Sequence, residues 1–255
     1  FGAAAKIRIY RSAVGSTQAA FQLAAEVSIG LSGATHTDQL QPAALQEVIP
    51  STTHIGPPDD DTALYPDGPM QGLMPVANGV FAGFTGRRLC LSEPFLPHAW
   101  PISYRITLEK EIVAIATTGN GVVCVTDGKP YFVTGTDPSA MVAVEIDLAQ
   151  ACVNKFSVVD MGDYVLYAGP DGLCAIAGTD GSVVTKGLIS PAQWNADFAP
   201  TTYKAFRHEG TYVAFHGTTS GWVYDPRAQE AAISTTTSSA AVRGGFYNPK
   251  DGELD

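Results

Sequence analysis

Apolar and polar residues alternate with a period of two over most of the chain, whereas helical periodicity is scarce. Gly, Asp-Gly and Pro-Asp-Gly interrupt the alternation, as they do at hairpin turns. The clearest hairpins span 80–91, 122–133, 164–176 and 212–224. The pattern predicts antiparallel strands joined by tight turns. The predicted structural turn residues are Gly86, Asp127, Gly128, Asp171 and Gly172.

The turn centres of these four hairpins recur at intervals of roughly 42–48 residues, which is the length of a four-stranded propeller blade. One such unit alone leaves its apolar faces exposed, and radial stacking of several units buries them. The predicted fold class is therefore all-β, made of antiparallel hairpin repeats in a propeller-like array, with few short helices. The sequence leaves open whether the array is incomplete or interrupted.

Other elements are predicted outside these repeats. A hairpin pairs 6–10 with 21–27, and another begins at 245–247 and turns at 249–252. A short helix is expected at 190–195, because Ser190 suits the N-cap and Pro191 suits the first helical position. The Thr/Ser/Ala-rich segment 231–242 fits either an edge strand or a loop.

The domain prediction is one propeller-like domain over 1–255, with a long irregular insertion at about 33–75. The chain begins without Met, so we expect it to be part of a longer product. Long irregular connections in compact folds are usually functional or pack against another subunit. The insertion is therefore the candidate interface loop, with Pro57, Pro58, Asp59, Asp60, Asp61, Tyr65 and Pro66 as its candidate contacts.

Composition narrows the function classes. Hydrophobic residues make up 45% of the chain and charged residues only 16%, which suggests that neighbours cover part of the exterior. The net charge is −10, and no basic run is longer than Arg87-Arg88, which argues against a grip on nucleic acid. An acidic surface is still compatible with a channel through which DNA slides. No apolar stretch is long enough for a membrane-spanning helix.

Candidate chemistry is sparse, and we predict no catalytic residue, no cofactor and no metal site. Nucleophile-elbow, phosphate-loop and metal-ligand motifs are missing, and the five histidines are scattered. Asp59–Asp61 fits a solvated loop better than a cation site. The tryptophans fit either core packing or a sugar-stacking platform. The four cysteines form no C-x-x-C pair and have no adjacent His, so they are predicted to be free thiols, and Cys90, Cys124 and Cys174 are predicted to be buried in strands.

Two parts of the chain resemble virion proteins of tailed bacteriophages. The first comprises 75–86 (PVANGVFAGFTG) and 91–101 (LSEPFLPHAWP), and the second comprises 150–163 (QACVNKFSVVDMGD) and 167–173 (YAGPDGL). Within that group the chain most resembles the tail nozzle, or tail tubular protein B, family of short-tailed phages. These four segments, called the resemblant segments below, cover roughly a fifth of the chain.

The resemblance implies a structural protein of the virion tail, assembled in the host cytoplasm, rather than an enzyme. It implies a homo-oligomeric ring, commonly six-fold, that contacts portal or adaptor proteins and docks fibres or spikes. Double-stranded DNA would pass through this conduit during genome ejection without sequence-specific binding. The resemblance assigns no catalytic residues.

Two alternatives from other classes stay open. A glycan- or protein-binding propeller module predicts an apolar or aromatic pocket on a stable monomer. A polysaccharide-degrading propeller predicts two carboxylates that converge in one pocket. The structural hypothesis instead predicts large subunit interfaces.

Overall fold

A computed structural model describes residues 6–12, 21–28, 35–47, 49, 55–63, 65–119, 121–228, 232–243 and 245. It divides the chain into two compact units, 1–54 and 55–255, where the sequence predicted one domain over 1–255. Most of the predicted hairpin at 245–252 lies outside the described residues. His54, one of the five histidines, also lies outside them.

The first unit contains the predicted N-terminal hairpin. Strands β1 (Lys6–Arg11) and β2 (Gln22–Ser28) pair antiparallel, with a register shift between Ile9 and Tyr10. Oppositely charged side chains face each other across the pair, and Glu26 bonds both Lys6 and Arg8. Cross-strand ion pairs of this kind stabilise a small two-stranded unit modestly.

The described part of the second unit contains four antiparallel sheets, each formed by four consecutive strands. Sheet 1 contains β3 (Gln71–Pro75), β4 (Phe81–Thr85), β5 (Arg88–Leu91) and β6 (Ile106–Thr107). Sheet 2 contains β7 (Ile112–Thr118), β8 (Gly121–Thr126), β9 (Tyr131–Thr134) and β10 (Val142–Glu145). Sheet 3 contains β11 (Val159–Asp160), β12 (Val165–Ala168), β13 (Leu173–Ala177) and β14 (Asp180–Val183). Sheet 4 contains β15 (Lys204–His208), β16 (Thr211–Phe215), β17 (Ser220–Tyr224) and β18 (Ile233–Thr237).

The four sheets are the blades of a propeller-like array, which confirms the predicted fold class. The first strands of successive sheets contact each other, β3 with β7, β7 with β11, and β11 with β15. Apolar clusters lie between sheets 1 and 2, between sheets 2 and 3, and between sheets 3 and 4. The four hairpins predicted from the sequence are the second and third strands of these sheets, where the alternation is strongest.

The middle strands are buried on both faces, and this explains why the repeats contain few polar residues. All six residues of β8 are buried; Val122 and Cys124 point into the cluster with sheet 1, while Val123 and Val125 point into the cluster with sheet 3. Successive side chains of a strand point to opposite faces, so a strand between two neighbours needs apolar residues at every position.

Segment 55–70 covers the face of sheet 1 that is turned away from sheet 2. Met70 lies against Gly83, and the Thr85 hydroxyl donates to the Gly68 carbonyl at 2.8 Å. Tyr65, which belongs to the same segment, is buried, and the Arg105 guanidinium lies 5.1 Å from the centre of its ring. The predicted irregular insertion at 33–75 therefore ends in ordered structure, since its last part is this cover followed by β3.

A buried polar network joins sheet 3 to sheet 4. The Asn154 amide donates to the Pro200 carbonyl at 3.1 Å and to the Tyr203 carbonyl at 2.6 Å. The Tyr212 hydroxyl donates to the Ser157 carbonyl at 2.8 Å, and the Ser157 hydroxyl donates to the Asn154 carbonyl at 2.6 Å. Because every bond of this network is inaccessible to water, losing one partner leaves another group unpaired.

The connection from sheet 3 to sheet 4 contains the predicted helix. Helix α1 (Pro191–Asp197) begins after the Ser190 N-cap and has Pro191 in its first position, as expected. A capping box between Ser190 and Gln193 adds a reciprocal bond. Trp194 points inward and packs against Trp222, Tyr203 and Phe198 with ring centroids 5.4–6.4 Å apart.

For the segment 231–242, the sequence left open an edge strand or a loop, and the structure contains both. Its described part begins as the edge strand β18 and continues as a loop along sheet 4. The Ser238 amide bonds the Thr219 carbonyl at 2.8 Å, which holds the loop against the sheet.

Replacing Asn154 with Ala is expected to lower the free energy of unfolding by about 2–3 kcal/mol, because two buried carbonyls lose their donor. Urea denaturation followed by tryptophan fluorescence measures this change, since Trp194 and Trp222 lie at the same seam. The matched control is Ser182→Ala on the exposed edge strand β14, expected within about 0.5 kcal/mol of the unsubstituted chain. Equal unfolding midpoints for Asn154→Ala and the unsubstituted chain would contradict the role assigned to this network.

Candidate binding surfaces at the two rims

The second unit has two rims, because antiparallel strands in chain order place alternate turns at opposite ends of each sheet. The upper rim carries the turns between second and third strands and the connections from one sheet to the next. The lower rim carries the other turns. Groups from different sheets meet at each end: a cavity at the upper rim is lined by Glu109, Gly128 and Pro170, and at the lower rim Thr118 bonds the Gly162 carbonyl at 3.1 Å.

All five predicted turn residues lie on the upper rim. Gly86 adopts a φ of +53° in the β4–β5 turn, a conformation that favours glycine. Asp127 accepts the Glu111 amide at 3.1 Å, and Gly128 follows it in the β8–β9 turn. Asp171 and Gly172 form the β12–β13 turn.

The β12–β13 turn is fixed by three side chains from two other segments. The Gln150 amide donates to the Asp171 carboxylate at 2.7 Å and accepts the Asp171 backbone N–H at 3.1 Å. The Trp194 indole donates to the Gly169 carbonyl at 2.9 Å, and the Asn195 amide donates to the Pro170 carbonyl at 2.9 Å. The Asp171 carboxylate is thus held in one position before any ligand arrives.

Beside this turn lies a cavity of about 620 Å³. Asp171 lines one side, and the segment 186–191 that leads into α1 lines the other. Leu188 and Ile189 of this segment also line a second cavity of about 370 Å³ against Phe198 and Ile233. The two cavities therefore adjoin along the 188–189 backbone, and both offer mainly aliphatic walls.

The lower rim displays a strained, exposed aromatic residue. Phe95 has a φ of +61° and is 78% exposed, in the loop between β5 and β6. Its backbone N–H donates to the Gly79 carbonyl at 2.8 Å, and a side chain on Gly79 would collide with the Phe95 ring. Bonds from Glu93 N–H to the Ala99 carbonyl at 2.9 Å and from Ala99 N–H to the Leu96 carbonyl at 3.0 Å close the loop. A bulky residue in the left-handed region is uncommon and persists only when its surroundings hold it there.

The residues of the predicted interface loop divide between core and surface. Pro58 and Tyr65 are buried in the cover of sheet 1, whereas Pro57, Pro66 and the three aspartates are exposed. Asp59 accepts the Asp61 amide at 2.9 Å, and Asp61 accepts the Ala63 amide at 3.0 Å, as aspartates do in turns. The interface role of this loop stays a prediction.

The four cysteines are free thiols, as predicted, and the structure buries Cys152 as well as the three predicted to be buried. Burial raises the pKa of the Cys90 thiol to about 11 and the pKa values of Cys152 and Cys174 to about 12, and it raises that of Cys124 further. At neutral pH these side chains are protonated small hydrophobes rather than nucleophiles.

Titratable side chains are dispersed in the part of the chain that the structure describes. No three His, Cys, Asp or Glu side chains there come together as a metal site requires. His216 faces Tyr203 and shares a 3.3 Å contact with the Thr202 hydroxyl; burial lowers its pKa. On the upper rim, Glu145 bonds Lys129 and Tyr131, which lowers the pKa of its carboxyl. The described helices include none long and apolar enough to cross a bilayer.

The tryptophans belong to the core rather than to a surface platform. Trp100, Trp194 and Trp222 are 1%, 0% and 2% exposed, respectively. Sequence reasoning left core packing and sugar stacking open for these residues, and the structure decides for packing. Phe95 and the cavity beside Asp171 were not singled out as sites, because nothing in the local sequence reveals a positive φ or a tertiary cavity.

No protein-family model matches the chain, and no curated protein is similar to it at a significant level. Solved structures with a similar fold include a streptogramin B lyase, with a TM-score of 0.49 and 12% identity over 74% of this chain and 62% of that one. BBS1N in complex with ARL6DN aligns with a TM-score of 0.46 and 12% identity, over 95% of this chain and 67% of that one. BamB from Moraxella catarrhalis aligns with a TM-score of 0.39 and 14% identity, over 62% and 50%. The chain thus spans less than two thirds of the lyase and half of BamB, and its own sheet topology is that of a β-propeller array.

At mildly alkaline pH an aromatic disulfide reagent is expected to modify fewer than one of the four thiols in the folded chain, because burial keeps them protonated and inaccessible. After denaturation in guanidinium all four are expected to react, and the absorbance of the released thiolate counts them. Rapid reaction of two or more thiols in the folded chain would contradict the burial of these cysteines.

Proposed function

We propose that this chain is a non-catalytic β-propeller module that binds a partner protein, with Phe95 on the lower rim as the central contact. The observation that carries the proposal is the combination of strain and exposure at this residue. A left-handed conformation costs an L-residue about 1–2 kcal/mol. Because the Phe95 ring is mostly exposed, burial of the ring offsets little of this cost. Strain at an exposed side chain is typical of sites kept for function.

The loop presents Phe95 as a rigid anchor. Its backbone bonds fix the ring against Gly79, so little conformational entropy is lost when a partner covers the outer side. Ile102, in the same connection between β5 and β6, is also exposed, at 61%. A partner with an apolar pocket for a phenyl ring fits this surface, because buried aromatic anchors contribute most to interface affinity.

A protein partner is favoured over a glycan. The three tryptophans, the residues that the sequence offered for a sugar-stacking platform, are buried in the core. The polysaccharide-degrading alternative requires a carboxyl group whose pKa is raised so that it acts as a general acid. The pKa of Glu145, the upper-rim carboxylate that bonds Tyr131, is lowered rather than raised, so Glu145 does not fit the general-acid role.

A second candidate function is the structural role in a short-tailed phage that the sequence resemblance implies. Phe95 lies in the resemblant segment 91–101, and the Gln150–Asp171 bonds join the two resemblant segments 150–163 and 167–173. In this role the chain is part of a six-fold tail ring in the virion. Portal or adaptor proteins and fibres or spikes are its neighbours, the exposed part of 57–66 adds a contact, and double-stranded DNA passes without base-specific binding.

A photo-reactive phenylalanine analogue is incorporated at position 95 of the chain in the cells that produce it. It is expected to cross-link one partner protein in those cells or in the virions assembled there. The matched control carries the analogue at Phe156, an aromatic residue that is 53% exposed in the 155–157 segment of the upper rim. Mass spectrometry identifies the adducts. Indistinguishable adducts at the two positions would count against the proposal.

With the partner identified, Phe95→Ser is expected to weaken its binding about thirtyfold, which corresponds to the ~2 kcal/mol of an aromatic anchor. Phe156→Ser is expected to leave the affinity unchanged. Isothermal titration calorimetry measures both, and equal affinity for Phe95→Ser and the unsubstituted chain rejects the assignment of Phe95.

Negative-stain electron microscopy tests the tail role separately. Closed rings with a central opening wide enough for duplex DNA are expected, because each copy must present two complementary faces that close by rotation. A monomer that persists at high concentration, and after its neighbouring proteins are added, contradicts the tail role while leaving the Phe95 contact open to its own test.

A further inference from the structure

The upper-rim cavity beside Asp171 has the size and composition of a small-ligand site. Its volume of about 620 Å³ lies within the range of pockets that enclose small molecules. Val183, Leu188, Ile189 and Pro191 supply aliphatic walls, and a few polar groups lie between them. Such a balance orients a ligand through its charged ends and binds its apolar part through burial.

Two opposite charges face this cavity. Asp171 lines it with a carboxylate that accepts a hydrogen bond from Gln150 but forms no ion pair with a described cation. Lys186 lines it too, and its ammonium group forms no ion pair with any carboxylate in the described ranges. By contrast, Lys129 on the same rim is paired with Glu145 and Asp147.

The position of the carboxylate is set in advance. Gln150, which is 9% exposed, holds both the carboxylate and the backbone N–H of Asp171. Gly172 beneath the turn leaves no room for a side chain, because Thr185 and Val183 occupy that space. A charge fixed in this way binds a counter-charge without the entropic cost of ordering a flexible side chain.

We propose that this cavity binds a small aliphatic zwitterion, namely a free branched-chain amino acid or a dipeptide of such residues. The ligand's ammonium group pairs with Asp171, its carboxylate pairs with Lys186, and its aliphatic side chain packs against Leu188 and Ile189. Both pairs are charge-assisted hydrogen bonds, which are the stronger class. This inference is independent of the lower-rim contact, since it concerns the opposite rim.

Isothermal titration calorimetry of the full chain with L-leucine and with L-leucyl-L-leucine tests the proposal and distinguishes the amino acid from the dipeptide. At least one of the two is expected to bind saturably. N-acetyl-L-leucine lacks the ammonium group and L-leucinamide lacks the carboxylate, so each is expected to bind at least about tenfold more weakly. These ligand controls need no substitution in the protein.

The protein variants are Asp171→Asn, which keeps an oxygen for Gln150 while removing the charge, and Lys186→Gln. Each is expected to weaken zwitterion binding by about tenfold or more. Lys110→Gln is the matched control, since Lys110 lines the neighbouring upper-rim cavity instead. Its affinity is expected to equal that of the unsubstituted chain.

Absence of saturable binding by both zwitterions at millimolar concentration overturns the proposal. Equal binding of L-leucine, N-acetyl-L-leucine and L-leucinamide also overturns it, because the charges would then play no part. Thermal melting of each variant reports folding, and the ligand controls decide the outcome where a variant does not fold.

Discussion

The fold depends on the need of each four-stranded sheet to bury both of its faces. A sheet whose middle strands are buried at every position, as β8 is, has no face that water solvates well. Stacking the sheets side by side satisfies this need, since each cluster of buried side chains then belongs to two sheets at once. At the start of the array, segment 55–70 covers the face of sheet 1 that is turned away from sheet 2.

Apolar burial alone does not fix how the sheets are aligned, because hydrophobic contact has no direction. The buried hydrogen bonds supply that direction at the seam of sheets 3 and 4. Asn154 and Tyr212 can satisfy their partners in one alignment only, and any slip leaves carbonyls unpaired away from water. The residues of 150–163 that resemble phage virion proteins thus have an architectural role here, whatever the larger assembly.

The candidate surfaces lie at the rims, where the stacking constraint is absent. The core restricts the strands, but the turns and connections need only close the chain and keep their backbone groups bonded. On the lower rim this freedom leaves a strained Phe95 exposed. On the upper rim it leaves a rigid turn facing an aliphatic cavity, with Asp171 and Lys186 as its charges. The two surfaces differ in chemistry, and this is why we assign a protein contact to one and a small ligand to the other.

The sequence by itself determined the repeating hairpins, the turn residues and the helix after Ser190, because each depends on local alternation, turn preference and capping. It also determined that Cys90, Cys124 and Cys174 are buried, since they stand in apolar strands. It missed β3 in an irregular-looking region, because a short edge strand carries little periodic signal. Only the tertiary structure decided that Tyr65 covers a sheet, that the tryptophans are core residues, and that Gln150 fixes Asp171 beside a cavity. These features join residues that lie far apart in the chain. Local sequence patterns do not reveal which distant residues will contact each other.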